Sequence, residues 1–533
     1  MGCEPSKKDY KDADSGKVKN QHSLEDVCFV REVTDEEDVR DVYEFTGPML
    51  GSGSFATVLM VKSKASGLEY AMKKINLSPI KDNAIAMRLL NNEIDGMKTT
   101  NHPNIVRLQE VYRPTSEDML YLVLDRLSGG NLEDLCGRKG RIEEIQAAYI
   151  VTQIVDAVRY CHDLNIAHRD LKLANCMFVD DSDAPIVKLI DFGLCMNFKD
   201  SKKSSAFVGT MTYAAPEVVM KNKRHGLECD MWSIGVMTYR LVGGNLPFIV
   251  SDAAVLAKMI KYEDPPYPDE IWGDVSVACR DFIDKCLTKN PKKRITAAEA
   301  QAHSWLHKAT DGVGAPLSKG TMLSMMKFQK TTMFEKMAME LIAYSCDPSD
   351  IRHFETHFRE MDKDGTGMVT LEEFKKTLQE RKKAVIRDVQ DANQTASASG
   401  AKAKVGALGR LDEDMIEDVF AAMDVDSCGS ISINEFVAAC LARKQIENSH
   451  IKAAFERLDF GTTGLITPED VSRYVGDSIS KSDIAQDMRE ISSREDGLVS
   501  LEDFTKCMET FVQSRNSLAP HSQRPTLDSS ATL

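Results

Sequence analysis

Between Leu50 and Glu217 a series of short polar strings follows in fixed order, and together they restrict the possible folds more than any other stretch of the chain. The first is Leu50-Gly51-Ser52-Gly53-Ser54-Phe55-Ala56-Thr57-Val58, set between apolar runs that read as strands, Tyr43–Leu50 and Thr57–Val61. Glycines in such a turn let backbone amides approach phosphate oxygens. Alone the string is weak, because Gly/Ser hairpins are common. A third run, Tyr70–Ile75, carries Lys73 where it can reach phosphates, and Glu93 lies in the helical pattern Ala84–Lys98, where it can hold that lysine. His168-Arg169-Asp170-Leu171-Lys172-Leu173-Ala174-Asn175 then supplies a carboxylate able to take a hydroxyl proton and an amide suited to a metal. Asp191-Phe192-Gly193 adds a second carboxylate, and Ala215-Pro216-Glu217 closes the series. Each piece has a bland alternative, Lys73 as a surface charge or Asp191 as a turn former. Their joint occurrence in this order has none.

The surrounding pattern is a strand-rich lobe followed by a helical one. Gly/Ser turns between the early runs predict an antiparallel sheet, and Glu144–Leu164 is strongly helical, with Ile145, Ala148, Tyr149, Val151, Ile154, Val155, Val158 and Cys161 on one face. Residues 1–43 are polar, lack a sustained period and read as a flexible arm; 310–320 read as a linker. The ordered strings resemble the protein-kinase signature, and residues 44–306 resemble the calcium/calmodulin-type serine/threonine kinases. The resemblance implies a bilobal α+β fold using ATP with magnesium. It assigns ATP binding to Leu50, Gly51, Ser52, Gly53, Ser54, Phe55, Ala56, Thr57, Val58, Lys73 and Glu93, with Leu124 as gatekeeper and Asp125 and Leu127 in the hinge. It gives magnesium to Asn175 and Asp191 and catalysis to Asp170 and Lys172, and it pairs Glu217 with Arg294. Two positions depart from the family: Asn131 stands where many relatives carry a glutamate, and Ala206 where the activation loop is usually phosphorylated, beside Ser204 and Ser205.

The last third repeats a second motif. Asp362, Asp364, Thr366, Met368, Thr370 and Glu373 occupy the ligand positions of a twelve-residue EF-hand loop, in which side-chain oxygens and one backbone carbonyl wrap a calcium ion and Gly367 makes the turn. Asp424, Asp426, Cys428, Ser430, Ser432 and Glu435 repeat the pattern, with a thiol at the fifth position, a poor calcium ligand. The loop from Asp459 to Asp470 has Gly461 at its third position, and the loop from Ser492 to Asp503 has Arg494 there. Two competent hands are expected, the third doubtful and the fourth structural. A low-complexity insertion at about 384–410 separates the first two, and 511–533 read as a disordered tail.

Charge follows this division. The chain carries −15, of which residues 346–510 hold −12, while 307–345 hold +2. The acidity argues against nucleic acid as a partner. The 307–345 junction is rich in Met (322, 325, 326, 333, 337, 339) with Lys327, Lys330 and Lys336, the composition of a helix that an EF-hand groove accepts. Kinase, junction and an all-α, calmodulin-like EF-hand domain at 346–510 resemble a calcium-dependent protein kinase of the plant and protist type. That resemblance implies a junction that blocks the substrate cleft at rest and is withdrawn by calcium, with protein substrates as partners. The alternatives are a kinase needing separate calmodulin and a catalytically weak, calcium-responsive membrane scaffold.

Thirteen cysteines are scattered without a Cys-x-x-Cys pair, which speaks against a disulfide scaffold or zinc module and for a reducing compartment. No apolar run reaches the roughly 18 residues of a membrane span. Met1-Gly2-Cys3-Glu4-Pro5-Ser6 matches a myristoylation pattern at Gly2 with Cys3 placed for palmitoylation, so the expected location is cytoplasmic and membrane-associated on the cytosolic face.

Overall fold

The structure is a computed structural model that describes residues 30–33, 38–52, 56–115, 117–182, 185–198, 209–220, 225–306, 319–329, 331–380, 382–383, 413–426, 428–441, 446–475 and 481–516. The acylation signal, Gly53-Ser54-Phe55, Ser204 to Ala206, the insertion and most of the tail lie outside these residues. Among the described residues no helix is long and apolar enough to cross a membrane.

The first lobe is a curled sheet. Strands β1 (Arg31–Val33), β2 (Tyr43–Glu44), β3 (Met49–Ser52), β4 (Ala56–Ser63), β5 (Glu69–Asn76), β6 (Leu108–Tyr112) and β7 (Met119–Asp125) run β1-β6-β7-β5-β4-β2, with β3 on β4. The meander from β3 to β5 is the expected antiparallel one. The end of the arm departs from expectation. β1 pairs parallel to β6, Arg31 opposite Glu110 and Val33 opposite Tyr112, while Val30 and Val33 are buried. Three residues are too few to show a period; the open edge of β6 supplies what the local sequence lacks. Helix α1 (Val39–Val42) follows, and α2 (Ala84–Thr99), capped by Asn83, packs Leu90, Ile94 and Met97 into the main core.

The second lobe is built on α3 (Leu132–Lys139), α4 (Glu144–Asp163), α5 (Pro216–Val219) and α6 (Glu228–Gly243), with α7 (Ala253–Tyr262), α8 (Asp269–Trp272), α9 (Val277–Cys286) and α10 (Ala297–Gln301) outside them. Helix α4 buries Ala148, Val151, Ile154, Val155, Val158 and Cys161 as expected, but Ile145 is 66% exposed. The neighbouring Glu144 carboxylate accepts from Ser276 N and Trp305 Nε1, which fixes that end of the helix with Ile145 outward.

A separate core spans Met325 to Phe511. Four helix–loop–helix hands pair through short antiparallel strands, Met368–Thr370 with Ser430–Ser432 and Leu465–Ile466 with Val499–Ser500. The junction forms two helices, Lys319–Phe328 and Met333–Ser345, the second opened by a Thr332/Glu335 capping box. Both lie in this second core, with Met325, Phe328, Phe334, Met337, Met339 and Leu341 buried among the hands. Of the two placements expected for the junction, in the cleft at rest and withdrawn with calcium, the arrangement seen is away from the cleft: its Met and Phe side chains find apolar partners in the EF-hand groove.

The two units touch along the back of the hinge. Tyr344 donates from its hydroxyl to Leu108 O at 2.8 Å and lies beneath the guanidiniums of Arg107 and Arg457. Arg107 donates to Cys346 O and to Asp125, while Arg457 donates to Gln109 O and Ser345 Oγ.

Candidate active site and calcium loops

Lys73 stands opposite Val58 in the β4–β5 ladder, so the strand that carries it also backs the glycine turn. Its Nζ lies 2.5 Å from Glu93 Oε1 and 3.1 Å from Asp191 Oδ1. Burial pushes the Glu93 carboxyl up, against the pull of the Lys73 ammonium. Asp191 is also raised by burial, but Lys73 more than offsets this and holds it below the usual carboxylate range. The Lys73 ammonium thus keeps Asp191 ionised, the state in which it can hold a divalent cation.

The Asp170 carboxylate is fixed from several directions. Lys172 Nζ donates to Oδ2 at 2.7 Å, Thr210 N and Oγ1 both donate to Oδ1 at 3.1 Å, and Asn175 Nδ2 donates to the backbone carbonyl at 2.9 Å. Nothing in the sequence singles out Thr210, and a lone threonine does not signal such a contact. The loop is held from below by Asp230, which accepts from the backbone amides of His168 and Arg169 at 2.9 Å. Arg169 and Asp191 have φ of 69° and 63°, left-handed conformations that cost a non-glycine residue of order 1–3 kcal/mol and persist where the surroundings over-determine them. Arg294 grips Glu217 with two hydrogen bonds of 2.6 and 2.9 Å, both side chains buried, as the family resemblance implied.

Other assigned positions are placed differently. The Asp125 side chain is buried in the hinge network, accepting from Arg107 Nε at 2.7 Å and Gln109 Nε2 at 2.5 Å, so only its backbone is left for a nucleotide. Leu124 and Leu127 are half-buried, and Leu50, Ser52 and Val58 line the described part of the glycine turn. Asn131 caps α3, accepting from Asp134 N at 2.9 Å.

The first two acidic loops are formed alike. Asp362 accepts from Thr366 N and Gly367 N, and Glu373 accepts from Lys363 N and Thr370 N, so its carboxylate closes the loop. Asp362, Asp364 and Glu373 bring carboxylate oxygens within 4.8 Å of one another, a hard, all-oxygen donor set that fits calcium. Thr366 Oγ1 lies 3.0 Å from Met368 O. In the second loop Asp424 accepts from Cys428 N and Gly429 N, and Glu435 from Val425 N and Ser432 N. Cys428 turns its thiol to Ser430 O at 3.1 Å; burial pushes it up to about 12, so it offers no thiolate at neutral pH. Burial also raises Asp362 and Glu435 to about 8. Their hydrogen bonds come from backbone amides of the loops rather than from a lysine or arginine within them.

The remaining loops differ. Asp459 and Asp470 keep their backbone contacts, but Gly461 brings no side chain, and Thr462 takes a left-handed φ of 49°. In the fourth loop Arg494 donates to Asp496 at 2.6 Å, holding that carboxyl at about 2. A guanidinium thus takes the charge position that an ion would fill.

Comparison with known families matches residues 45–306 to the protein kinase domain and 351–441 to the EF-hand domain pair. Maize calcium-dependent protein kinase 2 is 30% identical over 484 residues, covering 90% of this chain and 88% of the relative. The chain belongs to the calcium-dependent protein kinases. Arabidopsis calcium-dependent protein kinase 9 is 30% identical over 505 residues, covering 92% and 84%, and Plasmodium falciparum calcium-dependent protein kinase 5 is 30% identical over 481 residues, covering 89% and 78%. This calcium-dependent protein kinase is accordingly a calcium-activated serine/threonine kinase that uses ATP.

Proposed function

We propose that Asp170 accepts the proton of the substrate hydroxyl while Lys172 and Thr210 hold its carboxylate in place. Magnesium-ATP supplies the phosphoryl group; Lys73, positioned by Glu93, orients its phosphates, and Asn175 and Asp191 hold the metal. The chain from Glu93 through Lys73 to Asp191 carries this reading, because it sets the three groups at bonding distance with their charges paired.

For regulation, the junction occupies the substrate cleft when the hands are empty and moves into the EF-hand groove when the first two loops bind calcium. The burial of Phe328, Phe334 and Met337 among the hands supports the second of these placements as the released one. Shifting a population from 1:99 to 99:1 needs about 5.5 kcal/mol, and one site at about 100 times its Kd supplies about 2.7 kcal/mol. Two ions are just sufficient, so activation is graded and depends on both loops. Myristate at Gly2 and palmitate at Cys3 tether the enzyme to the cytosolic face of a membrane.

The test is a peptide phosphorylation assay with calcium and with chelator, on the full chain and on a form ending before the junction. The full chain is expected to be calcium-dependent and the truncated form active in chelator. A silent truncated enzyme, supplied with ATP and magnesium, overturns the cleft-blocking role. A Gly2→Ala variant that fractionates like the wild type overturns the tether.

A further inference from the structure

The first calcium loop does not stand alone; it is pressed against the catalytic lobe. The helix Pro348–Met361 leading into it runs along that lobe, with Arg352 paired to Asp180 and Glu355 lying 3.3 Å from the buried Lys188. At the loop itself, a Cβ on Gly367 would come within 2.6 Å of the Tyr160 ring and 3.0 Å of His102, and one on Gly365 would collide with the Gln301 amide. Only glycine permits so close an approach, so the turn that shapes the loop also forms its seat. Gln301 Nε2 donates to Asp156 Oδ1 at 2.9 Å, and Asp156, a buried carboxylate of α4, faces Asp362 through space. Arg359, one turn before the loop, has Nε and Nη2 buried without a hydrogen-bond partner and acts on Asp156 through space.

We propose that Asp156 and Gln301 are the catalytic lobe's contribution to the first calcium site: they form its outer face, so that the loop binds its ion more tightly docked on the lobe than free of it. The inference rests on the reading of Asp362–Glu373 as a calcium loop. Docking the empty loop brings Asp156 up to Asp362, Asp364 and Glu373, four carboxylates with Arg359 as counter-charge. Docking the filled loop brings Asp156 up to a divalent cation, which it attracts. Ion binding and docking therefore favour each other, and by linkage each strengthens the other by the same factor. The ion is thereby read directly by α4 and α10, without passing through the junction helix.

The test uses the full chain carrying Glu435→Gln to silence the second loop, with calcium uptake followed by isothermal titration calorimetry. Adding Asp156→Asn is expected to weaken uptake by about tenfold, and Gln301→Lys, which sets a cation at the half-exposed edge of the seat, by at least as much. Peptide turnover at saturating calcium stays within about twofold of the parent, since neither residue touches the catalytic groups. Terbium supplies a second readout: excited through Tyr160, its emission in this loop falls in a Tyr160→Phe variant whose calorimetric affinity for calcium is unchanged. Unaltered affinity in both folded variants overturns the proposal. Uptake by the parent that does not respond to Glu373→Gln overturns the calcium-loop reading instead.

Discussion

The catalytic centre and the calcium loops both collect carboxylates, but they settle the charge differently. Around Asp170 and Asp191 the protein brings its own cations, Lys172 and Lys73, and the geometry stands complete. In the first two loops Asp362, Asp364, Glu373, Asp424 and Glu435 are held by backbone amides, and burial drives several of them towards the neutral form. The fourth loop is the instructive intermediate: Arg494 gives it the solution of the catalytic centre, an internal counter-charge, and with it goes the need for an ion. A site that neutralises itself is constitutive; a site that does not can be controlled from outside.

That contrast can be broken experimentally. Lys73→Met removes the internal cation between Glu93 and Asp191, and peptide turnover is expected to fall about a thousandfold while calorimetric calcium uptake is unchanged. Glu373→Gln with Glu435→Gln should raise the free calcium needed for half-activation about a hundredfold, each alone about tenfold, in an activity titration. Thr210→Ala removes the hydroxyl's hydrogen bond to the Asp170 carboxylate and leaves the backbone one, so kcat is expected to drop about tenfold with the KM for ATP little changed. Arg494→Ala is the smallest change: an exposed pair is lost, and both the calcium midpoint and the Tm should stay where they are. A lowered Tm in that last variant would contradict the view of Arg494–Asp496 as an exposed pair of little weight.

Much of this was legible before the fold. Lys73, Glu93, Asp170, Asn175 and Asp191 lie in strings whose order is diagnostic, and the loop ligands recur at fixed offsets within twelve residues. The structure gathers both sets. What escaped depends on distant partners. Thr210 reaches Asp170 across forty residues, and Asp125 turns away from the nucleotide side because Arg107 and Gln109 claim its carboxylate. The seat of the first loop joins Asp156, Gln301 and Gly365 from three separate regions, a meeting no periodicity announces. Ile145 fits the apolar stripe of α4 yet faces outward, because Glu144 is engaged by Ser276 and Trp305.

The short strand Arg31–Val33 fixes where the arm leaves the body of the enzyme. Fully extended, the chain from Gly2 to Val30 spans at most about 90–100 Å. If Gly2 carries the proposed lipid, phosphorylation would be confined to a shell of that depth above the bilayer, measured from the rim of the sheet. Lengthening or shortening those residues should move the outer boundary of the reachable targets without altering the chemistry performed on them.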